Sequence, residues 1–346
     1  MARRGSATEV DAYVFIKDEL KKLKWIVKNP SRSYDGQVYT QNEGHSHPEI
    51  LRELGRESPE NIVKLTESKF WVIEGKRNRS EIDQAVSEAE YYANKINNNK
   101  IISAPLISGV AGNNSDNFIV QSRMLYNGKY VPIKINDKEI TSLIYPEIAS
   151  ILLSTGNPLI EDVPIDEELF LSTAEDINEY LHNGAINKNY RAKVIASLLL
   201  SVLEDPKPNV DSPPAILIRD INSRAENILT ENEKAEFFPF IKITLPPTPD
   251  NHPKFKDAIV KTLHEFEVLN IRSAFNSGHD VLGKFYEVFL KYGNGAKEIG
   301  IVLTPRHITQ FAVNILNVNR SDIVLDITCG TGGFLVAAYD HVKRNS

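Results

Sequence analysis

The run FWVIEGKRN places a glutamate and a lysine two positions apart, at Glu74 and Lys76. Its apolar residues predict a strand, in which alternate side chains share one face, so the carboxylate and the ammonium group would lie side by side. Such a pair can hold Mg²⁺ and orient or polarise a water molecule and a phosphate group. Because this pair of residue types is common on protein surfaces, its neighbours decide what it indicates.

A second acidic side chain would strengthen the prediction of a metal site. The run PENIVKL predicts a hairpin strand that brings Glu60 or Asn61 close to the strand of Glu74. We select Glu60 as the first acid, with Asp35 and Glu43 as alternatives, the latter as a carboxylate carried by a helix. The run SEIDQAVSEAEYYANKI follows the pair and has the periodicity of a helix.

A glycine-rich turn occurs near the other end of the sequence, in IVLDITCGTGGFL (323–335). An apolar run predicts a strand that ends at an acidic residue, and a helix follows the glycines. Glycines let the backbone turn tightly and approach a ligand, while a helix N-terminus offers free N–H groups. The run GIVLTPRHI precedes this turn by about one helix, and DVLGKFYEVFLKYGNGAKEIG lies further upstream.

This ordered set resembles the N6-adenine DNA methyltransferases of restriction–modification systems, especially type I modification subunits and fused type II enzymes. The resemblance covers about residues 280–343 and implies that S-adenosyl-L-methionine lies over the glycine turn. Ile327 and Thr328 depart from the family pattern, which commonly has a proline and a small residue there. The resemblance implies these cofactor-binding residues: Leu303, Thr304, Pro305, Arg306, Asp326, Gly330, Thr331, Gly332 and Gly333.

Other parts of that family pattern do not occur in the sequence. We find no N-P-P-F/Y loop, which receives the flipped adenine, and no acidic residue on a second strand to hold the ribose. No target-recognition region follows. We therefore expect that this chain alone neither methylates DNA nor binds S-adenosyl-L-methionine strongly.

The strand of Glu74 and Lys76 resembles the PD-(D/E)xK core in the nuclease domains of fused restriction–modification enzymes and type I restriction subunits. Glu88 has the place of the glutamine in the Q-x-x-x-Y motif of that family, with Tyr92 as its tyrosine. The resemblance implies Mg²⁺-dependent hydrolysis of a DNA phosphodiester. Glu60 and Glu74 would hold the metal, and Lys76 would orient or deprotonate the water or stabilise the developing charge.

Two further motifs favour structural interpretations. The run GHDVLGKF (278–285) is close to a P-loop, but Phe285 stands where a serine or threonine would bind magnesium, so we predict a helix N-terminus with Asp280 in its first turn. His45 and His47 lie two positions apart without further ligands at zinc spacing, which predicts a polar loop.

The periodicity along the chain, with the two resemblances, predicts three domains. We expect an α/β restriction-endonuclease-like domain over 1–160, an all-α connector over 161–298, and the first strand and helix of a Rossmann-like methyltransferase domain over 299–346. Within the connector we favour packing over DNA contact for three basic residues, which are Lys188, Arg191 and Lys193.

The composition is that of a globular protein of 346 residues, with 41% hydrophobic residues. The net charge of −6 gives no whole-chain indication of a nucleic-acid partner. No apolar run approaches the roughly 20 residues of a membrane span, so we expect no membrane partner. The single cysteine allows no internal disulfide and is typical of the reducing cytoplasm, where we place the protein.

Three hypotheses follow. The first is a fragment of a fused restriction–modification enzyme that acts on double-stranded DNA, with endonuclease and N6-adenine methyltransferase parts. Its target would be read by a specificity subunit or a fused recognition region. The second is a methyltransferase-family protein whose N-terminal domain is a degenerate module that binds DNA or a partner. The third is an interaction fragment without enzymatic activity.

Overall fold

The computed structural model describes residues 9–113, 117–135, 137–161, 167–269, 271, 289, 304–330 and 332–345. The P-loop-like run at 278–285 and the residues Leu303 and Thr331 lie outside these described residues. None of the described helices is long and apolar enough to span a membrane.

A six-stranded mixed sheet dominates the first part of the chain, as its strand-like runs predict. In space the strands follow their order in the sequence. Neighbours are antiparallel except β3 and β4, which run parallel, and a long helix, α3 (Ile82–Asn97), connects those two. The strands are β1 (Val38–Thr40), β2 (Asn61–Lys64), β3 (Lys69–Lys76), β4 (Ser103–Asn113), β5 (Asn117–Tyr126) and β6 (Lys129–Pro132).

A smaller sheet and three helices complete what we call the sheet unit, which comprises the described residues of 9–161. The smaller sheet has three strands, with the central one antiparallel to one neighbour and parallel to the other. Its strands are β7 (Lys134–Ile135), β8 (Lys138–Glu139) and β9 (Leu159–Ile160). The helices are α1 (Glu9–Lys22), α2 (Pro48–Leu54) and α4 (Pro146–Thr155).

Apolar side chains on the two faces of the large sheet belong to two separate cores. Alternation along β3 divides its residues, so that Trp71 and Ile73 face α1 and α4 while Phe70 and Val72 face α2 and α3. All four side chains are fully buried. The central position of β3 explains why its run is almost continuously apolar until Glu74.

Helices form the next part of the chain, which we call the helical unit (residues 167–271 as described). They share one large apolar core, as the helical periodicity predicts. The helices are α5 (Glu167–Asn183), α6 (Lys188–Ser201), α7 (Pro214–Glu231), α8 (Phe238–Ile241) and α9 (His252–Val268).

Two helices, α10 (Arg306–Leu316) and α11 (Gly333–Arg344), pack on each other through Val313, Ala337 and Ala338. Pro305 precedes the first of them as its N-cap residue. The strand that we predict between them is wrong, because Ile323 and Leu325 are 97% and 81% exposed and pair with no strand among the described residues. A strand needs a neighbour for its backbone N–H and C=O groups, and the described chain offers none here.

Candidate active site

Glu74 and Lys76 lie at the end of β3 on the face that α3 covers. They share this face with Val72 because strand residues alternate, and Gly75 between them faces α1 instead. Glu74 is only 6% exposed. The predicted pairing of the two side chains on one face is therefore present, at a position that is largely closed to solvent.

Glu60 lies beside Glu74, just before β2 begins. Its backbone N–H donates to Glu74 Oε2 at 3.4 Å, and Gly75 N–H donates to Glu74 Oε1 at 3.3 Å. Burial, and then the negative charge of Glu60, raise the pKa of Glu74 to about 8, against the opposing charge of Lys76. Two carboxylates so close together in a buried place favour a bound cation or a bound proton.

Lys76 makes its ion pair with α3. Its Nζ lies 2.5 Å from Glu88 Oε2, and Glu88 Oε1 accepts a second hydrogen bond from Gln84 at 2.9 Å. Burial opposes the charge of Glu88, but the hydrogen bonds from Lys76 and Gln84 and the charge of Lys76 together outweigh it and leave the pKa of Glu88 below its usual value. Glu88 thus fixes the lysine beside the Glu74 carboxylate.

Tyr92 stands one turn after Glu88 on α3. Burial, followed by the charges of Glu74 and Glu88, raises the pKa of Tyr92 to about 12. The tyrosine therefore stays protonated and can donate a hydrogen bond near the buried carboxylate. The spacing of Glu88 and Tyr92 predicts this grouping, since residues four apart share one face of a helix.

The other candidates for the first acid are engaged locally. Asp35 pairs with Lys28 at 3.0 Å in an exposed turn. Glu43 accepts hydrogen bonds from the backbone N–H and the hydroxyl of Thr40, at 3.0 and 2.7 Å, and so caps a short 3₁₀ turn. Asn61 is fully buried within β2, where alternation turns it toward the α1 face, away from the face of Glu74.

Among the described residues, no group of three or more His, Cys, Asp or Glu side chains is arranged to hold a metal ion. Glu60 and Glu74 form a pair of carboxylates only. His45 lies in a 3₁₀ turn and contacts the carbonyl oxygen of Glu57 at 3.0 Å, while His47 is the N-cap residue of α2 and packs edge-on against Phe70, so a short turn and a helix start stand where we predict a loop.

The basic residues of the helical unit divide into structural and surface groups. Arg191 is buried, and its guanidinium donates to the carbonyl of Ile186 at 3.1 Å and to Asn178 Oδ1 at 2.5 Å. A DNA-contacting role for this arginine is therefore wrong, because its donors are used inside the unit. Lys193 remains near the surface, with its ammonium 5.0 Å from the centre of the Tyr190 ring.

The glycine turn has the backbone conformation that a closely bound ligand needs. Gly330 and Gly332 adopt positive φ angles of 54° and 81°, and no atom lies within 4 Å of a Cβ added to either. Asp326 Oδ1 accepts the backbone N–H of Thr328 at 3.0 Å, which orders the start of the turn. The helix α11 begins directly after this open stretch of backbone, at Gly333.

The helix that follows the predicted cofactor wall at 303–306 contacts the end of this turn. A Cβ added to Gly333 would stand 3.7 Å from Thr309 Cγ2, so α10 contacts the start of α11. Thr304 and Pro305 are exposed and lie one helical turn before Thr309. Leu303, Thr331 and the side chain of Arg306 lie outside the described part of the chain.

Comparisons with known proteins agree with the resemblance of this last segment. Residues 277–346 match the model of the N-6 DNA Methylase family. The chain is 33% identical over 189 residues to the type II restriction enzyme and methyltransferase RM.BcgI of Heyndrickxia coagulans, covering 49% of this chain and 29% of that protein. It is 42% identical over 65 residues to the type I restriction enzyme EcoEI methylase subunit of Escherichia coli, covering 19% and 13%.

A third relative, the type I restriction enzyme MjaVII methylase subunit of Methanocaldococcus jannaschii, is 35% identical over 68 residues, or 19% of this chain and 12% of the relative. Residues 277–346 thus match the N-6 DNA Methylase family, and the chain is similar to RM.BcgI and to type I methylase subunits over the shares given. It spans less than a third of the length of these relatives. The alignment with RM.BcgI is longer than the family segment, so that similarity extends beyond residues 277–346.

Proposed function

We propose that this chain is part of a fused restriction–modification protein, in which the sheet unit hydrolyses DNA phosphodiester bonds with Mg²⁺. The observation that carries the proposal is the grouping of Glu60, Glu74 and Lys76, which lie together where β2 begins and β3 ends. Supporting it is the order of elements around that grouping, which runs α1, β1, α2, the antiparallel strands β2 and β3, α3 and the parallel strand β4. This order suits the nuclease resemblance of the sequence.

Glu60 and Glu74 are the residues that would hold the metal. A buried carboxylate pair suits Mg²⁺, because this ion takes one or two protein carboxylates and completes its shell with water and phosphate oxygens. When bound, Mg²⁺ would supply a Lewis acid that activates water and offsets charge on the scissile phosphate. Because burial and Glu60 raise the pKa of Glu74 to about 8, Glu74 would have to release its proton at neutral pH to act as a ligand.

Lys76 acts on the water and the phosphate. Its ammonium lies 2.5 Å from Glu88 Oε2, and this ion pair holds it on the same face of the sheet as Glu74. From there it orients the attacking water and stabilises charge that develops on the phosphate oxygens. Tyr92 keeps its proton, because burial and the charges of Glu74 and Glu88 raise its pKa to about 12. Its hydroxyl is therefore available as a hydrogen-bond donor near Glu74.

The methyltransferase part of the proposal concerns residues 299–346. S-adenosyl-L-methionine is the cofactor expected of N6-adenine methyltransferases, and it would supply the methyl group for the adenine N6 atom. The backbone of Gly330, Gly332 and Gly333 would approach it, with Asp326 at the edge of the turn and Thr304 with Pro305 on the opposite wall. Double-stranded DNA is the proposed substrate of both activities, read by a separate subunit or a fused region.

A cleavage assay tests the nuclease proposal. The full chain is incubated with unmodified plasmid DNA and Mg²⁺, beside Glu74→Ala, Lys76→Ala and the matched control Glu67→Ala, whose side chain is 92% exposed. We expect Mg²⁺-dependent cleavage by the chain and the control, and loss in both site variants. If Glu74→Ala still cleaves DNA, Glu74 is not part of the cleavage site and the proposal is wrong. DNA binding without any cleavage would favour the second hypothesis, a degenerate binding module.

A further inference from the structure

Helix α1 contacts the candidate catalytic strand at the one residue between Glu74 and Lys76. A Cβ added to Gly75 would stand 3.3 Å from Ala12 Cβ and 3.4 Å from Ile16 Cδ1. Both α1 side chains are fully buried against the sheet. The helix therefore packs directly on the backbone of Gly75, which joins Glu74 to Lys76. A displacement of the helix would move this backbone.

The second half of the same helix contacts the helical unit through charged side chains. Lys22 donates a hydrogen bond to Glu265 of α9 and forms an ion pair of 3.3 Å with Asp176 of α5. Tyr180 donates a hydrogen bond to the other oxygen of Glu265 at 3.1 Å. Lys22 thus joins α1 to two helices at once, with Glu265 only 2% exposed.

A second pair strengthens this junction. Glu19 Oε1 lies 3.4 Å from His264 Nε2, and Glu19 is 7% exposed. Burial disfavours the histidine cation, but the close Glu19 carboxylate outweighs this and raises the pKa of His264 to about 9. At neutral pH the histidine and Lys22 are therefore both cations among the carboxylates, which fixes the relative position of the helices.

Other ion pairs between the two units are exposed. Lys138 of β8 pairs with Asp205 at 2.8 Å, and the two side chains are 35% and 59% exposed. Solvent screens such pairs, so they contribute little to position. The network on α1 is different, because Glu19 and Glu265 are 7% and 2% exposed, so removal of their partner leaves a buried charge uncompensated. It lies along one wall of a cleft of about 560 Å³ between the units.

We propose that α1 is a coupling element, through which the Lys22–Glu265 network on the helical unit sets the position of Gly75 and hence of Glu74 and Lys76. The two contact regions together span the ten positions from Ala12 to Lys22, which is roughly 15 Å of one continuous helix, so a displacement at one region is passed to the other. Its value to the protein rests on the proposed nuclease function. The coupling itself is a property of the chain that is measured without DNA or metal.

Lys22 is then a positioning residue, and Lys22→Met is the direct test because it keeps the stem and removes the charge. Hydrogen–deuterium exchange of the full chain is followed over residues 70–78, without Mg²⁺ and without DNA. We expect exchange in this segment to rise about tenfold or more in Lys22→Met, and to return to the native rate in Lys22→Arg. The control Lys138→Met, which breaks an exposed pair, should leave the segment unchanged.

A milder variant covers the case in which Lys22→Met does not fold, as judged by circular dichroism. Tyr180→Phe removes only the hydroxyl that bonds to Glu265, and it should raise exchange over 70–78 in the same direction by a smaller factor. The coupling is overturned if exchange rises in α1, α5 or α9 while residues 70–78 keep their native rates. That result would leave the cleavage proposal standing, and a failed cleavage assay would likewise leave the exchange result standing.

Discussion

At the scale of single residues, the Glu74 carboxylate carries the most unusual electrostatics of the described sheet. It is nearly closed to solvent, beside a second carboxylate, and its nearest cation is already paired with Glu88. Such a group is stable as a neutral acid or as the ligand of a cation. The same residue therefore lowers the stability of the metal-free protein at high pH and provides a place for a metal ion.

Glu74→Gln is expected to change how the free energy of unfolding depends on pH in the absence of metal. The pKa of Glu74 is raised to about 8 in the folded state, against 4.5 for an ordinary glutamate. Between these pH values the folded protein holds an extra proton, so its free energy of unfolding falls as pH rises. Glutamine does not titrate, and urea denaturation from pH 4.5 to 8.5 should show that this decline is reduced by up to a few kcal/mol.

Glu88→Gln is the matched control for that measurement, because the pKa shift of Glu88 is opposite in sign to that of Glu74. The pKa of Glu88 lies below its ordinary value, so its charge stabilises the folded state above about pH 4.5 and this contribution is lost as pH falls. Replacement by glutamine should therefore lower the stability at neutral pH. Parallel curves for native protein and Glu74→Gln between pH 4.5 and 8 would show that the acid is not shifted.

At the scale of elements, the site depends on how closely α3 approaches the sheet. Gly109 of β4 lies next to Glu74 in the parallel register and faces this helix. A Cβ there would be 2.7 Å from both the backbone nitrogen and Cγ2 of Val86. The absence of a side chain on β4 thus lets α3 carry Glu88 to Lys76.

Gly109→Ala is expected to lower the free energy of unfolding by about 1–3 kcal/mol, because the helix backbone must move away from the sheet. The shift should also weaken the Lys76–Glu88 pair and reduce the proposed cleavage activity. Gly75→Ala is the comparison, since its added Cβ meets side-chain atoms at 3.3 and 3.4 Å and should cost less. Urea denaturation measures both, and an equal or smaller cost at Gly109 would contradict the close packing of α3.

At the scale of the whole molecule, the described segment 304–345 is unlike the other parts because much of its apolar surface is open. Phe311 and Ile315 on α10 are 63% and 66% exposed, and Leu325 is 81% exposed. Apolar side chains of this size that lie close together on a surface indicate contact with further protein. The sheet and helical units, in contrast, bury their apolar side chains in their own cores.

This surface should make the isolated chain associate with itself. We expect sedimentation velocity to show an average mass that rises with concentration, and bound anilinonaphthalene sulfonate to fluoresce. The double variant Phe311→Glu with Ile315→Glu should reduce both signals because it removes apolar area from α10. Ile216→Glu, at a residue 45% exposed on α7, serves as the control and should change neither. Unchanged association in the double variant would contradict the assignment to α10.

Several features of the candidate site are predictable because they depend on local chemistry. Alternation along β3 places Glu74 and Lys76 on one face, and the turn before β2 brings Glu60 to them. Helical spacing likewise brings Glu88 and Tyr92 together. The partner of Lys76, the raised pKa of Glu74 and the internal role of Arg191 are not predictable in this way, since each depends on which distant groups share a buried space.

The sequence by itself determined the local elements of the sheet and helical units, the spacing of Glu74 and Lys76, and the methyltransferase-like motifs of 277–346. Each of these depends only on neighbours in the chain. Tertiary structure alone decided that α1 contacts Gly75 through Ala12 and Ile16 and contacts Glu265 through Lys22. It also decided that the apolar run at 323–327 forms no strand in the described chain. In both cases the outcome depends on contacts between residues far apart in sequence, and local patterns do not specify which partner will be present.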